Sequence, residues 1–157
     1  MTPIPTFARL VALSAALAIP AAALAQASPD GAAYTKTLDA AFDDVTFAVE
    51  QAITNAGLVI DNTSHVGEML SRTKADVGGA KDLYTEADAY TFCSADVSRK
   101  VMEADITNIQ FCPYSIFVYE TADQPGRVTV GHRLYPGDTM APVNALLSGI
   151  VDEATAE

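Results

Sequence analysis

The sequence predicts an α+β domain, a largely antiparallel sheet backed by two or three helices. Three observations carry that prediction. Residues 114–120 and 127–135 are apolar runs joined by Asp123-Gln124-Pro125-Gly126, the pattern of a β-hairpin. Residues 45–56 and 143–151 each carry one apolar stripe at helical spacing. Each stripe needs a sheet face to cover, and strands grouped in hairpins provide one.

The elements follow in order. Tyr34 to Leu38 alternates weakly and suits a first edge strand. Val45, Ala48, Val49, Ala52, Ile53 and Ala56 form the stripe of the clearest helix. Asp43 is expected to cap it, with Phe42 and Phe47 as a hydrophobic staple. Gly57 should end it, where a left-handed residue is needed. Leu58-Val59-Ile60 reads as a short buried strand stopped by Asp61-Asn62. Ser64 is expected to cap a second helix with Val66, Met69, Leu70 and Thr73 inward, broken at Gly78-Gly79. Lys81 to Ala89 fits neither period. Tyr90 to Cys93 reads as a strand, after which Ser94 caps a short helix through Val97 and Val101.

In the hairpin, Ile116 to Tyr119 is apolar on both faces, as in a central strand. Its partner puts Val128, Val130, His132 and Leu134 on one face, and Arg127, Thr129, Arg133 and Tyr135 on the other. Pro136-Gly137-Asp138 turns the chain into a last helix. Pro142 suits its first turn, and Val143, Leu146, Leu147, Ile150 and Val151 share its stripe.

The first 25 residues carry a separate message. Arg9 precedes an apolar run, Leu10 to Leu24, that exits through Ala23-Leu24-Ala25, with Ala25-Gln26-Ala27 as a second small-residue site. This is the pattern of a secretory signal peptide. The run is short for a membrane span and is interrupted by Pro20. The expected organisation is therefore a signal peptide at 1–25, a flexible lead-in at 26–33 and one α+β domain at 34–157. The mature chain would begin at Gln26 or Ser28 and reside in the periplasm or be secreted. No membrane contact is expected after cleavage. Nine Lys and Arg against twenty Asp and Glu give a net charge of −11, and cleavage would remove Arg9 and no acid. Such an acidic surface repels phosphate backbones and anionic head groups, which argues against nucleic-acid and membrane partners.

The chain resembles the bacterial family called domain of unknown function 302. The resemblance is carried by Phe42-Asp43-Asp44-Val45 with Gly57-Leu58-Val59-Ile60, by Tyr90-Thr91-Phe92-Cys93, and above all by Cys112-Pro113-Tyr114-Ser115-Ile116-Phe117-Val118-Tyr119-Glu120 with the Arg127–Pro136 strand. It implies a TATA-binding-protein-like half fold, often dimeric, and supplies no catalytic residues. It does not imply DNA binding.

Candidate chemistry is sparse. Cys93 and Cys112 are the only cysteines and do not form C-x-x-C, which favours one structural disulfide in an oxidising compartment. Soft-metal ligands or two buried thiols are the rival readings. His65 and Met69 lie four apart on the second helix, a spacing that suits Cu(I). Equally, Met69 would fill the core and His65 would lie exposed. His132, on an apolar strand face, must be satisfied by hydrogen bonds or face a cavity as a ligand or base. Arg127, Arg133 and Tyr135 suit an anion patch or a solvated face.

No phosphate loop, nucleophile elbow or H-E-x-x-H helix is present, and no catalytic residue is assigned. The sequence thus points to an exported non-enzymatic binding or interaction domain, a homodimer or the accessory of a periplasmic partner or small ligand. The alternative is a metal-binding (copper or haem) or redox accessory protein using His65, Met69, His132 or Met140. No cofactor is predicted.

Overall fold

The computed structural model describes residues 25–27 and 32–156. The expected signal peptide and most of the lead-in lie outside the described residues. The exception is β1 (Ala25–Ala27), a three-residue strand in the segment expected as lead-in, paired antiparallel with Tyr34 to Lys36.

Six strands form one open antiparallel sheet in the order β1-β2-β6-β5-β4-β3. They are β1, β2 (Ala33–Asp39), β3 (Ile60–His65), β4 (Tyr84–Phe92), β5 (Tyr114–Thr121) and β6 (Arg127–Arg133). The helices are α1 (Phe42–Asn55), α2 (Val66–Thr73), α3 (Ala95–Ala104) and α4 (Ala141–Ala154), with 3-10 turns at Ile106–Phe111 and Asp138–Met140. The α+β class is as the sequence predicts.

Register divides the sheet into two faces, because strand side chains alternate. Tyr90, Phe92, Tyr114, Ile116, Val118, Val128 and Val130 point one way and are fully buried. They meet Val49 and Ile53 of α1, Val101 of α3, and Val143, Leu147 and Val151 of α4 in one core. Burying each large apolar side chain contributes about 1.5–3 kcal/mol, so this face holds the domain together. The other face carries Ala87, Ala89, Phe117, Tyr119, Thr129 and Gly131, and among the described residues only α2 lies against it, at one end.

Several local expectations are corrected. α1 starts at Phe42 with Ala41 as N-cap; Asp43 and Asp44 sit in its first turn, where carboxylates favour the helix dipole. Phe47 is 65% exposed and staples nothing. Val59 is 75% exposed, and the strand expected to stop at Asp61-Asn62 instead runs from Ile60 to His65. As the sheet's outer edge, bulged between Ile60 and Asn62, β3 tolerates polar residues. In α2, Gly67 rather than Met69 faces the sheet. A Cβ on Gly67 would lie 2.6 Å from the Ala87 nitrogen, so only glycine lets the helix sit this close. Met69 is 42% exposed.

The unassigned stretch before Tyr90 is the first half of β4, bulged between Tyr84 and Glu86. Tyr135, expected on the outer face, is buried against Tyr114 and Phe111, because β6 ends at Arg133 and alternation ends with it. Asn144 of α4 fixes the Tyr135 backbone, bonding its N–H and carbonyl at 2.9 Å each.

Candidate binding site

The sequence-predicted candidates occupy three separate places. Cys93, just after β4, and Cys112, before β5, meet with Cα atoms 6.5 Å apart and their sulfurs at bonding distance. Neighbouring strands bring them together, since Phe92 pairs with Tyr114. Such a separation suits a disulfide staple.

His65 ends β3 and precedes α2, largely exposed, with Nδ1 2.9 Å from Asp88 Oδ1. That carboxylate raises its pKa, first by hydrogen bonding and then by charge. The Met69 sulfur lies 4.0 Å from the Thr73 hydroxyl.

His132 is fully buried under α4. Its Nδ1–H donates to the Arg133 carbonyl at 2.8 Å, so Nε2 accepts from the Ser148 hydroxyl at 3.0 Å. Burial lowers its pKa against a smaller opposing effect of the Arg133 carbonyl. Both ring nitrogens are thus engaged within the protein. His132 on β6 and His65 on β3 are three strand spacings apart, roughly 14 Å at the usual strand separation. Met140 is buried in the core. Among the described residues no group of three or more His, Cys, Asp or Glu is placed to hold a metal ion.

Beside His132, the Tyr34 ring lies tilted with its centre 5.7 Å from the imidazole's, and its hydroxyl donates to Asp152 at 2.6 Å. Lys36 Nζ reaches the same oxygen at 2.6 Å. The Tyr34 pKa is pushed up to about 12, chiefly by that hydrogen bond. Burial pushes the Asp152 carboxyl up, but the bonds from Lys36 and Tyr34 outweigh it and hold it low. The cluster ties β2 and β6 to α4. Arg127 pairs with Asp39 at 3.6 Å, whereas Arg133 lies over the Tyr135 ring at 5.6 Å, so the two arginines serve opposite ends of β6.

The feature that sequence reasoning missed is on the open face. Tyr119 stands opposite Ala87, and Phe117 opposite Ala89. On its other side Phe117 faces Gly131, and a Cβ there would lie 2.8 Å from Phe117 Cζ, so the ring leans over the glycine. Tilted toward β6, it leaves the space above the two alanines vacant. Tyr84 meets Tyr119 edge to face at 5.7 Å, and Phe117 stacks on Tyr119 at 6.0 Å. With Val66 of α2 as a further wall, these residues line a hollow of about 290 Å³. Its chemistry is that of a ligand pocket: aromatic walls, small residues for a floor and one charged residue in the lining, Asp88, whose carboxylate is bonded to His65. The signal was present as two alanines flanking Asp88 and aromatics alternating in the central strand, but their juxtaposition depends on register.

None of the curated proteins matches this chain. Among solved structures, a crystal structure of an uncharacterized conserved protein DUF302 from Bacillus stearothermophilus aligns with a TM-score of 0.54 at 17% sequence identity. The alignment covers 76% of this chain and 88% of that one. At such identity the likeness shows a shared fold and no shared activity. The family model described as domain of unknown function DUF302 matches residues 34–155, nearly the whole described domain. The chain belongs to the DUF302 family.

Proposed function

We propose that this protein is an exported, non-enzymatic binding domain that holds a small apolar ligand on the open face of its sheet. One observation carries the reading: three aromatic side chains line a hollow of about 290 Å³ floored by two alanines, while the opposite face is filled by helices. Half-buried aromatic rings grouped beside open space contribute less to the fold than core rings and offer a surface to a ligand. The Ser148–His132 pair supports the non-enzymatic part. Its imidazole is fully buried, and Ser148 lies within α4, where helix bonding occupies the backbone N–H groups an oxyanion would need.

The binding test uses N-phenyl-1-naphthylamine, an uncharged fluorescent probe. It should bind the purified protein, and Ala89→Leu, which fills the floor, should weaken it by about tenfold or more. The melting temperature should stay within about 2 °C. No binding to the wild type, or equal binding to both, overturns the site. Export rests on the N-terminal pattern alone and is tested by the intact mass of protein recovered outside the cytoplasm. A mass lacking residues 1–25 or 1–27 is expected; one retaining Met1 refutes it.

A further inference from the structure

A second, smaller hollow of about 130 Å³ adjoins the first. Tyr84 lines both, and consecutive residues at the start of α2 divide them, Val66 on one side and Gly67 on the other. The two differ in charge. Lys74, Lys81 and Asp82 line the smaller hollow, whereas the one charged residue lining the larger is Asp88, already bonded to His65. These two lysines flank Gly78-Gly79, where the chain reverses through a positive φ at Gly78, and the Gly79 N–H donates to the Lys74 carbonyl at 2.7 Å. The turn brings both cations to one end of the groove. Lys74 is already paired with Asp82 at 2.9 Å. Lys81 has no ion-pair or hydrogen-bond partner among the described residues.

From this juxtaposition we infer that the ligand is an amphipathic monoanion, a flat aromatic body bearing one carboxylate or sulfonate. The body lies over Ala87 and Ala89 against Tyr119 and Phe117, and the anion reaches past Tyr84 to Lys81. The inference rests on the proposed hollow and adds its polar end. The net charge of −11 does not forbid an anion here. Charges beyond about 8–10 Å are largely screened at ordinary ionic strength, whereas a cation in contact with the ligand is not. An acidic molecule with an unpaired lysine at the end of an aromatic groove therefore selects where an anion can dock.

A matched pair of probes separates the two readings. 8-Anilinonaphthalene-1-sulfonate carries the same ring system as N-phenyl-1-naphthylamine plus one sulfonate. Lys81→Gln should weaken the sulfonate by about tenfold and leave the neutral probe within about twofold. Lys81→Glu should weaken the sulfonate further, and added salt should weaken only the sulfonate. Lys81 is exposed, so both variants should keep the wild-type melting temperature. If Lys81→Gln leaves sulfonate affinity unchanged while the neutral probe still binds, the anion inference falls and the hollow stands. If Lys81→Gln weakens both probes alike, the lysine acts through the fold and the inference also falls. If the wild type binds neither probe, both readings fall together.

Discussion

The two faces of the sheet are built to different ends from the same strands. On the covered face the polar groups are consumed by the fold: His132 by the Arg133 carbonyl and Ser148, and Asp152 by Tyr34 and Lys36. On the open face the aromatic groups mostly touch one another and leave space beside them. The two histidines, both in register with covered-face residues, differ in depth and not in face. His132 is locked inside and His65 lies at the rim with one carboxylate partner. Stability and recognition are therefore separable here, and a substitution should damage one without the other according to the face it alters.

The contrast is tested most severely by truncation on each face. His132→Ala removes a fully buried ring and strips partners from the Ser148 hydroxyl and the Arg133 carbonyl. Cavity and unpaired polar groups together should cost about 3–4 kcal/mol in urea unfolding. Tyr119→Ala, on the open face, should cost about 1 kcal/mol or less, the scale of a half-exposed ring pair, yet abolish probe binding. Equal costs would break the comparison and mean that the open face is covered in solution. Reduction of Cys93–Cys112 comes next, at about 3 kcal/mol for a loop of this length. Thiol titration of the unreduced native protein should find no free thiol, and two reactive thiols would refute the staple.

Gly131→Ala probes the junction of the faces. Its Cβ would lie 2.5 Å from the Tyr34 carbonyl oxygen as well as against Phe117, so the β2–β6 backbone must shift. Overpacking of this kind should cost about 1–3 kcal/mol and lower probe affinity by moving the ring. Unchanged probe affinity would show that the tilt of Phe117 does not shape the hollow.

What could be read in the sequence follows the same division. α1, α4 and the β5–β6 hairpin were legible because each carries its own period, and Ser94 because its side chain caps the next turn, accepting from the Val97 N–H at 3.3 Å. The interior place of His132 followed from its apolar neighbours on β6. β4 was not legible in its first half, since Tyr84-Thr85-Glu86-Ala87-Asp88 has no strand pattern of its own and is held by pairing with β5. Tyr135 was misassigned because alternation was carried past the end of β6. The hollow lay beyond reach for a related reason. It depends on which residue of β4 faces which of β5, and one step of register would exchange the faces.

The smallest expected effect separates the two histidines by pH. His132 has a folded pKa below its ordinary value, so below about pH 6.5 the unfolded chain takes up a proton that the native ring refuses. Its contribution is present above that pH and declines as pH falls, with a slope of at most about 1.4 kcal/mol per pH unit for one proton. His65 has a raised folded pKa, so its contribution is full below about pH 6.5 and is lost as pH rises through the folded value. The groups around His132 do not titrate in this window, since Tyr34 lies at about 12 and Asp152 is held low. Unfolding midpoints measured from pH 5 to 8 should therefore fall less steeply toward acid in His132→Gln than in the wild type. They should fall more steeply in His65→Ala, where the opposing contribution is gone. Parallel curves for all three proteins would mean that the buried ring is protonated as readily as the exposed one, and the covered face would not be the sealed interior that the hydrogen bonds of His132 describe.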